Sequence, residues 1–213
     1  MELIYELKEH LKDLNIQWQL CGGLAIDVYL GKETRKHKDI DISISFEDIK
    51  TCVEFLKNKG WKIVAPVGKG RFVDIDYAIE NTELYFDNIW CYKGNCDFIK
   101  KNKTDGVFSY LDFQREEQKT LDFIEVMFNT VENGLFYYSR NHNITRELEK
   151  AIVVKDDIEI LAPELVLLYK SKYYNNTDNQ HDYKIVIDEL DNDRQYWLVK
   201  SMMEIYSGEH PWI

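Results

Sequence analysis

Two aspartates spaced two residues apart in a β-branched segment constrain this chain more than any other feature. The segment Asp39-Ile40-Asp41-Ile42-Ser43-Ile44 alternates polar and apolar side chains, as a strand with one buried face does. In such a strand the isoleucines are buried, and Asp39 and Asp41 lie together on the opposite face. Two neighbouring carboxylates repel each other unless a cation lies between them. Because carboxylates on a rigid strand suit Mg²⁺, which also binds substrate phosphates, the pattern indicates metal-assisted chemistry on a nucleoside triphosphate.

A glycine turn precedes this strand. Residues 16–20 alternate as a strand, and Gly22 and Gly23 follow them as a turn. Residues 24–30 then form a short helix that ends at Gly31. Backbone N–H groups at such a turn can cradle phosphates, so Gly22 and Gly23 are candidate nucleotide-binding residues.

Basic residues lie between this helix and the Asp-x-Asp strand. Arg35 and His37 could neutralise the phosphates of a bound nucleotide and the leaving pyrophosphate, although a solvated loop would have the same composition. A second Asp-x-Asp, Asp74-Ile75-Asp76, has no comparable glycine turn before it. We therefore expect Asp74 and Asp76 to lie on an ordinary exposed strand face.

The composition limits the possible partners. The chain has 213 residues, 45% of them hydrophobic, and a net charge of -11, so it can bury a core but lacks the basic surface that nucleic-acid binding needs. A cationic small molecule fits this charge, as does a simple role in solubility. No apolar run approaches the length of a membrane span. The four cysteines form no metal-site pattern, so we expect reduced, partly buried thiols in a cytoplasmic protein.

The order of the elements predicts an α+β fold, with a small mixed β-sheet, helices on one side of it, and a C-terminal helical region. The predicted strands after the first helices cover residues 71–79, 84–91, 108–113 and 121–129. Residues 100–106 read as a polar turn, and Pro163 can begin a helix at its first turn. Aromatic side chains could line a pocket but are more commonly part of a core; these are Trp90, Tyr92, Tyr137, Tyr138, Tyr173 and Tyr174.

The stretch from Gly22 to Ile42 resembles the nucleotidyltransferase superfamily of the DNA polymerase β type. Within it, the stretch is most similar to the branch of aminoglycoside 2''-adenylyltransferases and lincosamide nucleotidyltransferases. The matching residues are Gly22, Gly23, Asp27, Gly31, Thr34, Arg35, His37, Asp39, Ile40, Asp41 and Ile42. Leu24 stands where the branch usually has Trp, and residues 161–172 are also similar to the branch.

The resemblance implies a third carboxylate on a later strand, which completes the metal site or acts as a base toward the acceptor hydroxyl. Residues 121–129 offer Asp122 and Glu125, on opposite strand faces, so only one can serve. Glu125 is favoured because relatives carry an acid at that position, usually an Asp.

Lys170 and Lys172 lie two apart on a predicted helix and therefore diverge, so at most one of them faces the cleft. Lys170, the nearer to Pro163 and Glu164, is the candidate nucleotide-binding lysine. Many relatives continue the C-terminal helix with the motif Lys-Asp-x-x-Asp-Phe. In this chain residues 181–186 read His-Asp-Tyr-Lys-Ile-Val, so only Asp182 matches an acid of that motif.

The implied activity is transfer of a nucleoside monophosphate, AMP from ATP, with Mg²⁺. The acceptor is a hydroxyl of a small cationic molecule such as an aminoglycoside or lincosamide, and pyrophosphate leaves. Residues 1–150 would form the nucleotidyltransferase catalytic domain and residues 151–213 a helical region that closes the substrate cleft. Two alternatives stay open: a nucleotidyltransferase of a toxin–antitoxin system that modifies a protein or RNA, and a non-catalytic nucleotide-binding relative.

Overall fold

The computed structural model describes residues 2–94 and 96–213, and in this part the chain forms eight α-helices and twelve β-strands. The helices are α1 (Glu2–Leu11), α2 (Gly22–Leu30), α3 (Ile49–Asn58), α4 (Ile75–Glu80), α5 (Leu148–Ala151), α6 (Pro163–Ser171), α7 (Thr177–Val186) and α8 (Asn192–Tyr206). The strands are β1 (Trp18–Cys21), β2 (Asp41–Ser45), β3 (Trp61–Pro66), β4 (Arg71–Asp74), β5 (Asn88–Lys93), β6 (Ile99–Asp105), β7 (Phe108–Phe113), β8 (Phe123–Glu132), β9 (Leu135–Tyr137), β10 (Thr145–Glu147), β11 (Ile152–Lys155) and β12 (Ile158–Leu161).

The described residues divide into two compact units. The first contains the described residues up to Trp18 together with Arg35–Phe128, and the second contains Gln19–Thr34 together with Asn129–Ile213. The chain thus enters the second unit, returns to the first and leaves it again. The domain division at residue 150 that the sequence suggests stays a prediction.

The first unit is built on a sheet with the strand order β2-β8-β5-β3-β4-β7-β6. Neighbouring strands from β8 to β6 pair in the antiparallel direction, and Trp90 on β5 lies directly opposite Glu125 on β8. Helix α3 buries one apolar stripe, Ile49, Cys52, Val53 and Leu56, as its helical periodicity requires. Ile42 and Ile44 of β2 are also fully buried, which fixes the face on which Asp41 lies.

Helix α6 is the centre of the second unit. It packs against α2, α7 and α8, and seven of its nine residues are buried. Pro163 occupies its first turn, where a missing N–H costs no hydrogen bond. Strand β12 pairs with β1 in the parallel direction and with β11 in the antiparallel direction, so the sheet is mixed. This mixture of strands and helices confirms the predicted α+β class.

Two of the predicted elements are wrong. The predicted strand 71–79 ends at Asp74, because the Asp74 side chain caps a helix that continues to Glu80. The predicted polar turn at 100–106 is mostly strand β6, which is exposed along its length and pairs with β7. Its lysines are typical of the edge strands of sheets, where charge prevents further pairing. The sequence does not predict the β-hairpin at residues 152–161, which lies just before α6.

Cysteine chemistry agrees with the expectation of reduced thiols. All four cysteines are free, and all but Cys96 are buried. Burial raises the pKa of the Cys52 thiol to about 12, so this thiol is unreactive at neutral pH.

Within residues 2–94 and 96–213, none of the helices combines the length and the apolar character that a bilayer-spanning segment needs.

Candidate functional site

Three carboxylates come together in the first unit. Asp39, Asp41 and Glu125 each offer an oxygen atom, and these oxygens all lie within 4.8 Å of one another. All three side chains are partly buried. A cluster of this size and donor type matches the oxygen-ligand preference of Mg²⁺.

Backbone pairing sets the geometry of this triad. Asp41 begins strand β2, and Asp39 lies just before the strand. The backbone N–H of Glu125 donates to the carbonyl oxygen of Ile40 at 2.8 Å, which fixes β8 beside the residue between the two aspartates. Because Ile40 is fully buried, its neighbours on either side are held on a rigid backbone.

Glu125, and not Asp122, is the later acid in the triad. Asp122 instead accepts a hydrogen bond from Arg115 at 2.7 Å, and this guanidinium lies 3.4 Å from the centroid of the Phe98 ring. Through this hydrogen bond with Arg115, Asp122 contributes to the local packing just before β8. Glu125 lies with the Asp-x-Asp pair, and its role as the third catalytic carboxylate stays a prediction.

The electrostatics of the triad disfavour three negative charges. Burial raises the pKa of Glu125 to about 7, and the charge of Asp39 acts in the same direction. Hydrogen bonds from Trp90 and Asn88 oppose this rise, because they stabilise the carboxylate form. A cation held by the triad would remove the repulsion, so the donor set fits a divalent metal ion.

The glycine turn is built as a helix start. Gly22 has a φ of +66°, which glycine adopts without strain, and α2 begins at this residue. Helix α2 ends at Gly31, which has a φ of +70°. Asp27 is buried within α2 and accepts hydrogen bonds from the Thr34 hydroxyl at 2.6 Å and the Thr34 N–H at 3.2 Å. Asp27 therefore stabilises the loop after α2.

The two basic candidates near the triad differ in exposure. Arg35 is partly exposed, and its guanidinium donates to the carbonyl oxygen of Lys36 at 3.0 Å. His37 is buried, and its carbonyl oxygen accepts from the Gln118 N–H at 2.7 Å. Both belong to the first unit, and Arg35 lies four residues and His37 two residues before Asp39 along the chain.

Lys170 lies in the second unit, within a polar cluster between α6 and α7. Its ammonium group is 2.9 Å from an oxygen of Asp182 and donates to Asn179 at 3.2 Å. The Lys170 side chain is 14% exposed and that of Asp182 only 1%, so the ion pair is largely shielded from water. The acid that remains from the later motif thus contacts the candidate lysine directly.

Sequence reasoning missed two residues at the triad. Asn88 and Trp90 of β5 both donate hydrogen bonds to Oε1 of Glu125, Trp90 at 3.2 Å. The sequence predicts Trp90 only as a residue of a pocket or core and does not single out Asn88. Their i, i+2 spacing on a strand is a weak signal, because the register of β5 against β8 is not visible in the sequence.

Comparison with known proteins identifies the family. A family model described as aminoglycoside-2''-adenylyltransferase matches residues 3–115, more than half of the chain. A lincosamide resistance protein from Staphylococcus haemolyticus is 38% identical over 64 residues. That match covers 29% of this chain and 38% of the relative, well under half of the relative's length.

Solved structures show the shared fold. The solution structure of the antibiotic-resistance factor ANT(2'')-Ia aligns with a TM-score of 0.59 at 14% identity, covering 97% of this chain and 92% of the other. The crystal structure of ANT(2'')-Ia with adenylyl-2''-tobramycin aligns with the same TM-score and identity, covering 96% and 97%. The resemblance noted in the sequence, and with it the predicted enzyme class, is confirmed at the level of family and fold. The chain belongs to the aminoglycoside-2''-adenylyltransferase family, a family of nucleotidyltransferases.

Proposed function

We propose that this protein transfers AMP from ATP, with Mg²⁺, to a hydroxyl group of a small cationic antibiotic such as an aminoglycoside or a lincosamide. The observation that carries the proposal is the convergence of Asp39, Asp41 and Glu125 within 4.8 Å in a member of this family. Three carboxylates at this distance repel one another and lower the stability of the folded protein. A function that requires a bound cation accounts for their presence.

Asp39, Asp41 and Glu125 would hold the metal ion. When bound, the ion would neutralise charge on the triphosphate and on the leaving pyrophosphate. Mg²⁺ binds through a few carboxylates together with substrate phosphates, which suits a site of three acids on or directly before strands.

The protein's own part in the reaction is mainly positioning. Glu125 would orient the acceptor hydroxyl and take its proton as the oxygen attacks the α-phosphorus. The new O–P bond forms while the bond to the β-phosphate oxygen breaks, and pyrophosphate carries away that electron pair. Rigid strands and correct alignment supply most of the acceleration in such a transfer.

Several residues are proposed to bind the nucleotide. Gly22 and Gly23 would offer backbone N–H groups at the start of α2. Arg35 and His37 would contact the phosphates. Lys170 would also contact the phosphates. Its ammonium group is paired with Asp182, so this ion pair would have to break before Lys170 could reach the nucleotide.

The acceptor is the least constrained part of the proposal. The net charge of -11 favours a cation by attraction, and the named relatives act in lincosamide resistance or carry adenylyl-tobramycin. An ATP donor also places the proposed reaction in the cytoplasm. The acidic surface argues against a nucleic-acid acceptor.

Pyrophosphate release tests this function. Purified protein would be incubated with Mg²⁺, each of the four NTPs, and a panel of aminoglycosides and lincosamides. Asp39→Asn and Asp41→Asn are the active-site variants. Asp76→Asn is the matched control, because it makes the same chemical change in the second Asp-x-Asp, whose Asp76 is exposed.

Release that requires one antibiotic, persists in Asp76→Asn and is lost in the Asp39 and Asp41 variants would establish the proposal and name the acceptor. Release without any antibiotic but with added protein or RNA would favour the toxin–antitoxin alternative. Binding of ATP and Mg²⁺ with no release under any condition would indicate a non-catalytic relative.

A further inference from the structure

Two side chains of β5 converge on one oxygen of Glu125. The Asn88 amide and the Trp90 indole N–H both donate to Oε1, the indole at 3.2 Å. Trp90 lies directly opposite Glu125 in the β5–β8 pairing, and Asn88 is two residues earlier on the same strand. The two donors therefore reach Glu125 from the neighbouring strand and on the same sheet face.

The indole of Trp90 is itself held in place. Its ring contacts the rings of Phe72, Phe113 and Phe123 at centroid distances of 4.5, 5.8 and 5.7 Å. Phe72 and Phe123 are both buried. Such packing restricts the ring, so its N–H group is a fixed donor rather than a mobile one.

A glutamate needs such restraint more than an aspartate does. Its carboxylate lies at the end of three rotatable bonds, and freezing these bonds costs conformational entropy when substrate binds. Two hydrogen bonds to Oε1 restrict the side chain in the free protein, so less conformational entropy is lost when a ligand binds. They also occupy Oε1 and so distinguish it from Oε2.

We propose that Asn88 and Trp90 are positioning residues, which together hold Oε1 of Glu125 so that Oε2 is presented to the metal ion and the acceptor hydroxyl. The proposal rests on the proposed function in assigning these ligands to Glu125. Neither side chain is assigned any contact with the substrate. Hydrogen-bonded partners of this kind set the orientation and affinity of the acids they hold.

The test compares Trp90→Phe, Asn88→Leu and the double variant with the wild type. Phenylalanine keeps an aromatic ring in the cluster while it removes the donor and one ring of the indole, and leucine approximates the shape of asparagine without its amide. Trp197→Phe is the matched control, because it removes an indole N–H that donates to the Thr145 carbonyl at 3.0 Å in the other unit. Each protein is titrated with Mn²⁺ alone, by calorimetry, and then assayed for turnover.

We expect each single variant to bind Mn²⁺ about 10-fold more weakly and to lose a similar factor in kcat, with the acceptor KM unchanged. The double variant should lose more than the product of the two single losses, because each donor partly replaces the other at the same oxygen. Trp197→Phe should match the wild type in Mn²⁺ affinity and in kcat.

Wild-type Mn²⁺ affinity in all three β5 variants would overturn the proposal, even if their melting temperatures fall, since that pattern describes a purely structural role. If the losses in the double variant equal the product of the losses in the two single variants, the proposal that Asn88 and Trp90 act together on Oε1 would be wrong. If the wild type binds Mn²⁺ but releases no pyrophosphate, the proposed function fails, and the Mn²⁺ titrations still decide the positioning role.

Discussion

The Asp74 side chain accepts a hydrogen bond from the backbone N–H of Asp76 at 2.9 Å, so the second Asp-x-Asp of the chain caps a helix. Both of these aspartates are exposed, whereas Asp39 and Asp41 are partly buried beside Glu125. One sequence pattern thus has two physical roles in the same unit. The neighbouring backbone decides between them.

This difference predicts the effect of Asp74→Ala. Loss of the cap should lower the free energy of unfolding by about 1 kcal/mol, because an N–H at the start of α4 loses its acceptor. Mn²⁺ affinity should not change. Urea denaturation and Mn²⁺ titration measure the two effects, with Asp74→Ser as the control that keeps a capping oxygen. Weaker Mn²⁺ binding by Asp74→Ala would contradict the assignment of the two motifs.

Charge repulsion at the triad predicts a trade-off between stability and metal binding in Glu125→Gln. Glutamine keeps an acceptor oxygen for Asn88 and Trp90 but removes one of three crowded charges. In EDTA at pH 8 the variant should be more stable than the wild type by roughly 1–3 kcal/mol, in line with the raised pKa of Glu125. The melting temperature of the wild type should rise on adding Mg²⁺, and that of the variant should not.

A matched control for this prediction is Glu132→Gln, which makes the same change at an exposed position of β8. It should leave both the EDTA stability and the Mg²⁺ response as in the wild type. A Glu125→Gln protein that melts below the wild type in EDTA, or that responds equally to Mg²⁺, would show that the triad is not under electrostatic strain.

Local patterns in the sequence predicted the parts of the site that lie close together in the chain. The alternation around Ile40 and Ile42 placed Asp39 and Asp41 together, and Gly31 ended α2 as expected. The choice of Glu125 depended on family resemblance, since Asp122 has equal charge and lies three residues away. Only the pairing of β8 beside Ile40 separates the two acids in space.

The remaining features depend on contacts that no local pattern contains. Residues 75–79 are compatible with a strand, but they lie in helix α4, which the Asp74 side chain caps and which buries Ile75 and Ala78. Residues 99–105 are polar enough for a loop and become a strand because β7 offers a partner. Asn88 and Trp90 meet Glu125 through the register of β5 and β8, which long-range packing sets.

A buried ion network should dominate the stability of the second unit. Glu164 is fully buried, and its carboxylate accepts from Arg146 at 3.1 Å and from Arg194 at 2.7 Å. Glu164→Gln leaves two guanidinium groups with a neutral partner. We therefore expect the free energy of unfolding, measured by urea denaturation, to fall by about 3 kcal/mol. Asp193→Asn is the control: its side chain is 55% exposed, so its pair with Arg146 should contribute no more than about 1 kcal/mol. Similar losses in both variants would contradict this ranking.

His10 should make the first unit sensitive to mild acid. The indole N–H of Trp61 donates to Nε2 of His10 at 2.9 Å, which requires a neutral imidazole. Burial lowers the pKa of His10 below its ordinary value of 6.5, and the charges of Lys59 and Lys93 lower it further. Because the unfolded chain then takes up a proton at higher pH than the folded one, His10 contributes stability above about pH 6.5 that is lost as the pH falls toward the folded-state pKa.

His10→Gln keeps a hydrogen-bond acceptor but cannot titrate, so it isolates this effect. Urea denaturation of both proteins at pH 7.5, 6.5 and 5.5 gives the difference in unfolding free energy, in which the shared titrations cancel. The wild type should lose stability relative to the variant at each step toward acid. A difference that stays constant over this range would mean that His10 has the same proton affinity in the folded and unfolded chains, and that its hydrogen bond with Trp61 does not hold it neutral.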